Sequence, residues 1–519
     1  HTTSGVGTTK NCTDCHLSSR NDNNAWITQL LGFGTGTVNF FGRYAYVAAG
    51  KEGYRAVIWT ESEEPQAVIG SHLQKLAYPA NYLAHLLTGS VLKEAYEHHG
   101  DVQDLTLRGE YLYTANGADG FEVFDVANID QKGFSERMVS SPVSPLGQRT
   151  YVRTKFATSV ALPSTLAIDP ARQHLPANEE QPIDPFYAYA YVTDLHEGLV
   201  IVNVATLVDG NPENNFLRKD AVFNPGGVLD GARYVAAAGH RLFICARKGL
   251  FVVDVTEPTN PRLVGQLMDG SLRNPRAVTT QFRYAFVTDD DGLKVLDITD
   301  PSRPDPLPQA TVRLRDAQRL YVARTYAYVA NGAEGLAIVD IENPTKPHLF
   351  EMYNAEGALT DTRAVQIGSV NASMFALVAD GRNGLRVLQL ISPDTVPGAA
   401  GFSPAPNPQL IATYPIKGGE ALAVSRGLDR DRVVDETGGQ TVVFGRRGAR
   451  PFHLNEMQAF LRHREGGDLF QVDDVVMNDG ALSTRSGKIL EEPVNLLLPE
   501  MPEPLLPGPD DFGTIHGSD

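Results

Sequence analysis

The sequence predicts an all-β protein: a β-propeller with eight four-stranded blades, or seven if the weakest unit only completes the first. Three observations predict it. A unit recurs at a fixed spacing over most of the chain. Within each unit an aromatic, β-branched strand leads through a tight turn into a short apolar strand. Gly and Pro punctuate the same places each time. The clearest copies are HRLFICARKGLFVVDVTEPTNP from His240, RYAFVTDDDGLKVLDITDPSRP from Arg283 and TYAYVANGAEGLAIVDIENPTKP from Thr325.

Each part of the unit has a physical reason. Stretches such as YAFV and YAYV suit a pleated, half-buried surface, and the Asp, Asn and Gly that follow tolerate the left-handed backbone of a tight hairpin. The second strand, as in LKVLDI or LAIVDI, is almost wholly apolar and fits a strand covered on both faces. A following D-x-x-x-P or N-P-x-x-P stops it, because Pro cannot donate to a ladder. An apolar stretch precedes each aromatic strand, as in ATSVALP from Ala157, PRAVTTQ from Pro275, TRAVQIG from Thr362 and EALAVSR from Glu420. Another follows each second strand, as in PRLVGQL from Pro261, PHLFEMY from Pro347 and PQLIATY from Pro408, which makes four strands per unit.

The turn glycine marks the register at Gly53, Gly120, Gly198, Gly249, Gly292, Gly335, Gly384 and, weakly, Gly439. Gly249, Gly292 and Gly335 are 43 residues apart, the length of a four-stranded blade, while the earlier gaps of 67 and 78 leave room for insertions. The predicted propeller runs over residues 37–455. Within it, 71–100 reads as a helical insertion, since Leu83, Leu86 and Leu87, then Val91 and Ala95, recur at helical spacing and Gly100 can end the run. Residues 131–185 hold Ser, Pro and Gly clusters and read as a surface-loop insertion. Residues 456–519 contain EEPVNLLLPEMPEPLLPGPDD, acidic and proline-rich, and read as an extended arm able to lie along a partner.

The 519 residues are 42% hydrophobic, enough for a sizeable core, and 45 basic against 62 acidic residues leave a formal charge of −17. That charge repels phosphate backbones and anionic lipid surfaces, so nucleic acid is not an expected partner. No apolar run approaches the length of a membrane helix. The chain starts at His1 rather than Met, which predicts processing or a longer parent chain. Three cysteines are too few for a disulfide framework.

Residues 1–36 carry the one chemistry-bearing motif. In NCTDCHLSSRND, Cys12, Cys15 and His16 have the C-x-x-C-H spacing of covalent haem attachment. Both thiols must reach the vinyl groups of one porphyrin edge while the adjoining imidazole meets its iron. A zinc half-site would need two further ligands at similar spacing, and Cys245 stands alone in a strand. A thioredoxin-like pair would need a βαβ setting, which is absent. The expected cofactor is therefore haem c, with His16 as proximal ligand.

Two resemblances extend this reading. The core GLFVVD, GLKVLD and GLAIVD with its following D/N-P-x-x-P turn, at Leu250 to Pro261, Leu293 to Pro304 and Leu336 to Pro347, resembles the LVIVD-repeat β-propellers over about residues 37 to 455. That resemblance implies fold and says little of activity. The short haem segment resembles the sparse wrapping of multihaem cytochromes, which implies an exported, periplasmic or extracellular protein. On that resemblance His1 is a candidate distal ligand, and if the haem is bis-His the 71–100 insertion offers His98 and His99, with His72 and His85 on the same segment.

A self-contained cytochrome domain has far more chain around its porphyrin, so the haem is expected to rest on the propeller, its insertions or a second polypeptide. The leading functional expectation is an electron-transfer subunit whose partners are redox proteins, multihaem cytochromes or a respiratory complex, in a homo- or hetero-oligomeric assembly. A non-catalytic binding propeller is the alternative, and a propeller oxidoreductase with the haem as relay is the third. The last would want a dense ligand set, whereas His196, His240 and His348, plus His453 at the boundary, share no register. TDDDG at Asp289 to Gly292 reads as hairpin chemistry rather than a calcium cage. Cys245 reads as a small buried hydrophobe, and Trp26 and Trp59 as core or haem-side packing.

Overall fold

The computed structural model describes residues 39–40, 42–62, 67–89, 92–108, 111–126, 129, 150–163, 188–207, 216–370, 373–393, 395–396 and 403–425, with four short strand segments between 446 and 484. They form seven blades, not eight. In blades 2 to 7 four strands run outward in chain order, beginning with Asp104–Arg108, Ala157–Ala161, Tyr234–Ala238, Ala277–Gln281, Leu320–Ala323 and Ala364–Val370, and in blade 7 the short strand Asn39–Phe40 adds a fifth, parallel strand inside Ala364–Val370. Blade 1 breaks that order. Its three outer strands are Tyr44–Ala48, Tyr54–Ile58 and Lys93–His98, and its innermost strand is Ala423–Val424, from the far end of the described propeller.

This is the correction to the eight-blade expectation. EALAVSR, counted as the opening of an eighth unit, supplies Ala423–Val424, which pairs antiparallel with Val47 and Ala48. The innermost strands contact one another around a closed ring, Ala423–Val424 lying between Ala364–Val370 and Asp104–Arg108. A repeat counted from its turn glycine cannot reveal which unit a detached first strand will join. Gly439, the weak eighth mark, lies outside the described residues.

The register glycines explain why the unit is so regular. Gly53, Gly120, Gly198, Gly249, Gly292, Gly335 and Gly384 all have positive φ. At each, a Cβ would also strike a backbone carbonyl oxygen of the outermost strand, at 2.4 Å from Tyr353 in blade 6 and 2.1 Å from Tyr414 in blade 7. The turn therefore demands glycine twice, for backbone hand and for the close approach of a fourth strand. After the third strand, Asp254, Asp297 and Asp340 each accept the backbone N–H two residues on at 2.8 Å, which closes the turn before the following proline.

The helical insertion is shorter than expected and lies within a blade. Its helices are α1 (His72–Ala77) and α2 (Pro79–Leu87). Lys93–His98, including Ala95, is the outer strand of blade 1, so the helical spacing does not extend to Gly100. Ser71 caps α1 by accepting the N–H of Gln74, and Pro79 opens α2. In the 131–185 stretch, Tyr151–Val152 is the outer strand of blade 2 and Ala157–Ala161 the inner strand of blade 3. Two hairpin strands, Val475–Asn478 and Ala481–Thr484, lie in the C-terminal segment. No helix among the described residues is long and apolar enough to cross a membrane.

Between blades the third and second strands bury alternate residues on both sides, as their apolar sequences require. Tyr54 meets Phe124 at the junction of blades 1 and 2, and Trp59 meets Phe375 edge-on between blades 1 and 7. The ring has two unlike faces. One, the glycine face, carries the register turns and the links from each outer strand to the next inner strand. The opposite, hairpin face carries the first-to-second and third-to-fourth connections, except that in blade 1 the inner strand comes from the far end of the propeller and no turn joins it to the second.

Candidate functional site

Cys12, Cys15, His16 and His1, together with Trp26, lie outside the described residues. The structure does show where their segment joins the ring. Asn39 and Phe40 pair in parallel with Gly368 and Ser369 on the central side of blade 7, near the hairpin-face end of Ala364–Val370. The chain then passes Trp59, whose indole N–H donates to the Gly42 carbonyl at 2.7 Å and whose backbone N–H donates to Arg43 at 3.3 Å. Trp59 is fully buried and belongs to the core. It is also the first residue beyond the third strand of blade 1, where the helical excursion starts.

The excursion packs against blade 7. His85 is buried with Nε2 2.9 Å from the Ile411 carbonyl, the His72 N–H donates to Gln389 Oε1 at 3.2 Å, and the Leu92 N–H donates to the Thr413 carbonyl at 2.7 Å. Its other side is bare. Leu76, Leu83, Leu86 and Leu87 are exposed by 47%, 56%, 50% and 79%, although Leu73 beside them is buried.

His98 and His99 sit at the far end of Lys93–His98, on the glycine face, where His98 pairs with Tyr54. The His98 ring stacks on Tyr54 with centroids 5.3 Å apart and leans on Phe124 at 4.5 Å. Burial, with the neighbouring His99 and Arg55, lowers its pKa to about 4, so the imidazole is neutral at physiological pH. A neutral ring is the form that ligates a metal. The His99 side chain is 71% exposed, with Nε2 3.7 Å from Glu97 Oε1. Of the histidines offered from sequence, His1 lies outside the described residues, His72 and His85 lie in the excursion packed against blade 7, and His98 and His99 lie on the face opposite the one where Asn39 and Phe40 join.

One polar constellation has no signature in the repeat. At the glycine-face ends of their inner strands, Arg319 of blade 6 reaches Asp104 of blade 2, a contact between residues 215 apart in sequence. The other Asp104 oxygen accepts the Ser159 hydroxyl at 2.6 Å and the Val160 N–H at 3.3 Å, and the Arg319 guanidinium lies 5.5 Å from the Tyr234 ring centroid. The ion pair ties the inner strands of two non-adjacent blades. Only closure of the ring brings these residues together.

In TDDDG the carboxylates are already engaged. Lys294 Nζ lies 2.7 Å from both Asp289 and Asp291, and Asp289 also accepts the Arg273 and Asp291 N–H groups, so the turn is hairpin chemistry. Among the described residues no group of three or more His, Cys, Asp or Glu is placed to hold a metal ion. Cys245 is fully buried between blades 4 and 5, and burial pushes its thiol pKa up, which suits the packing role read from sequence.

The LVIVD repeat model matches residues 99–136, 188–212, 231–269, 281–305 and 314–355, so LVIVD repeats are present in blades 2 to 6. No curated protein matches the chain. Among solved structures, a protein from Lactobacillus plantarum is similar at 13% identity, covering 74% of this chain and 98% of its own, with a TM-score of 0.48. The β-propeller domain of Cps50 (Swd1) from Myceliophthora thermophila is similar at 12% identity, covering 67% and 94%, with a TM-score of 0.40. Apo AztD from Citrobacter koseri is similar at 10% identity, covering 74% and 96%, with a TM-score of 0.37.

Proposed function

We propose that this chain is an extracytoplasmic electron-transfer subunit, a seven-bladed ring that carries one haem c and presents it to other redox proteins, multihaem cytochromes or a respiratory complex. The observation that carries the reading is the Cys12-Thr13-Asp14-Cys15-His16 sequence. Bound there, the haem supplies a one-electron iron couple. The chain's own residues would do the holding: the Cys12 and Cys15 thiols would form the thioethers, and the His16 imidazole would ligate the iron. The ring contributes a platform whose blades are locked by the Ala423–Val424 strand and by the Arg319–Asp104 pair. Periplasmic or extracellular placement follows from the chemistry of covalent haem attachment.

The test is pyridine haemochrome quantification of the purified full chain with a reduced-minus-oxidised visible spectrum. One thioether haem per chain is expected, lost in Cys12→Ser/Cys15→Ser. A chain carrying no haem, or zinc bound by Cys12 and Cys15, ends the reading. Carbon monoxide separates the roles: a haem that does not bind it is a relay, whereas one that does has an open axial position and points to catalysis.

A further inference from the structure

We propose that the haem segment, residues 1–36, folds back onto the hairpin side of the ring and lays its porphyrin against the bare leucine face of the helical excursion, Leu76, Leu83, Leu86 and Leu87. The proposal rests on the reading of Cys12, Cys15 and His16 as the haem-attachment site.

The helices are apolar on two sides, and only one of them is covered. Leu73 and His85 pack into the molecule, yet Leu83, Leu86 and Leu87, three and four residues apart, form a second stripe that faces solvent, with Leu76 on the neighbouring helix. Fully burying an exposed leucine is worth about 1.5–3 kcal/mol and these four are exposed by 47% to 79%, so a helix stripe of exposed leucines marks a contact. Sequence and location favour the haem segment as its occupant. Where that arm meets the ring, Asn39 and Phe40 pair with blade 7, and the Gly42 and Arg43 carbonyls accept hydrogen bonds from Trp59, from which the excursion itself departs.

His16 lies 23 residues before Asn39, a tether that reaches at most about 75 Å when extended and averages roughly 25 Å as a flexible chain. The acidic C-terminal arm also leaves on the hairpin face, at Ser425, but its first leucine run begins at Leu496. A tether about three times longer lowers its effective concentration about fivefold. Charge agrees as well. In a chain with 62 acidic residues, 71–92 has none, and Lys75 ends α1 beside the leucines, suited to the propionates of a porphyrin. Docking here also removes His98 and His99 from the distal position, since they lie about 17 Å along the strand on the other face.

Hydrogen–deuterium exchange on the full chain, with haem content measured in parallel, tests the proposal. With one haem per chain, amides of residues 82–89 are expected to exchange at least about tenfold more slowly than in Cys12→Ser/Cys15→Ser. Strands 284–297 serve as a folding control in both. Leu83→Ser/Leu86→Ser/Leu87→Ser alters only exposed side chains. It is expected to keep its haem, lower the reduction potential and lose the protection of the segment around Cys12, while His98→Ala leaves the haem spectrum unchanged.

Equal exchange with and without haem overturns the docking and leaves the haem reading intact. Protection that persists without haem overturns it too, and assigns the face to the C-terminal arm or, where it depends on protein concentration, to a second copy. A changed haem spectrum in His98→Ala likewise overturns it. A chain with no haem ends both the docking and the reading beneath it.

Discussion

Asp104 is a buried carboxylate whose partners come from blades 3 and 6, and its removal has a specific consequence. Asp104→Ala leaves the Arg319 guanidinium, itself only 22% exposed, without its counter-charge, and should destabilise the protein by about 2–4 kcal/mol in urea unfolding. His98 gives a pH signature. Its folded pKa of about 4 lies below the ordinary 6.5, so the unfolded chain binds the proton more readily. The stability it contributes is complete above about pH 6.5 and is lost as pH falls toward 4. His98→Phe keeps the ring packing without the titration. Wild type should lose up to about 3 kcal/mol relative to this variant between pH 7 and pH 4, read by denaturant midpoints at each pH. Neither residue could be ranked from sequence: Asp104 matters because of a residue 215 positions away, and His98 because Tyr54 and Phe124 enclose its ring.

At the scale of single elements, the register glycine couples the second-to-third-strand turn to the fourth strand. Gly335→Ala meets both a φ of 87° and a carbonyl oxygen 2.4 Å from the added Cβ. Gly357→Ala meets a φ of 91° and no neighbour within 4 Å. The first should cost at least about 3 kcal/mol and the second about 1 kcal/mol, since only the first adds a backbone clash to the left-handed penalty. Equal losses in urea unfolding would show that backbone hand alone selects this glycine. The strands and turns of the unit were legible in sequence because strand period, Gly and Pro act locally. The excursion was legible only in part. Leu83, Leu86 and Leu87 do lie on a helix, but Val91 and Ala95 do not continue it, because pairing with Tyr54–Ile58 draws the chain after Leu92 into the outer strand of blade 1.

For the molecule as a whole, closure is the decisive event. Leu422 and Ser425 donate backbone hydrogen bonds to Ala48 and Tyr46, stitching the end of the propeller to its beginning, and Ala421 donates one to Gly381 of blade 7. A chain ending at residue 418 loses all three, at about 1 kcal/mol each, together with the buried Ala423 and Val424, and should unfold with a lower midpoint and reduced cooperativity. A chain ending at residue 445 keeps them and should melt like the full protein, by calorimetry. Matching melts for both truncations would mean that this strand does not hold the ring shut.

The sequence by itself determined the repeat, its four strands, the glycine at each turn and the C-x-x-C-H segment, because each is written in residues a few positions apart. Only the tertiary structure decided that the blades number seven, that an ion pair spans the ring, and that His98 and the point where Asn39 and Phe40 join the ring lie on opposite faces. Those facts depend on contacts between residues hundreds of positions apart, and such contacts exist only once the last strand has joined the first blade.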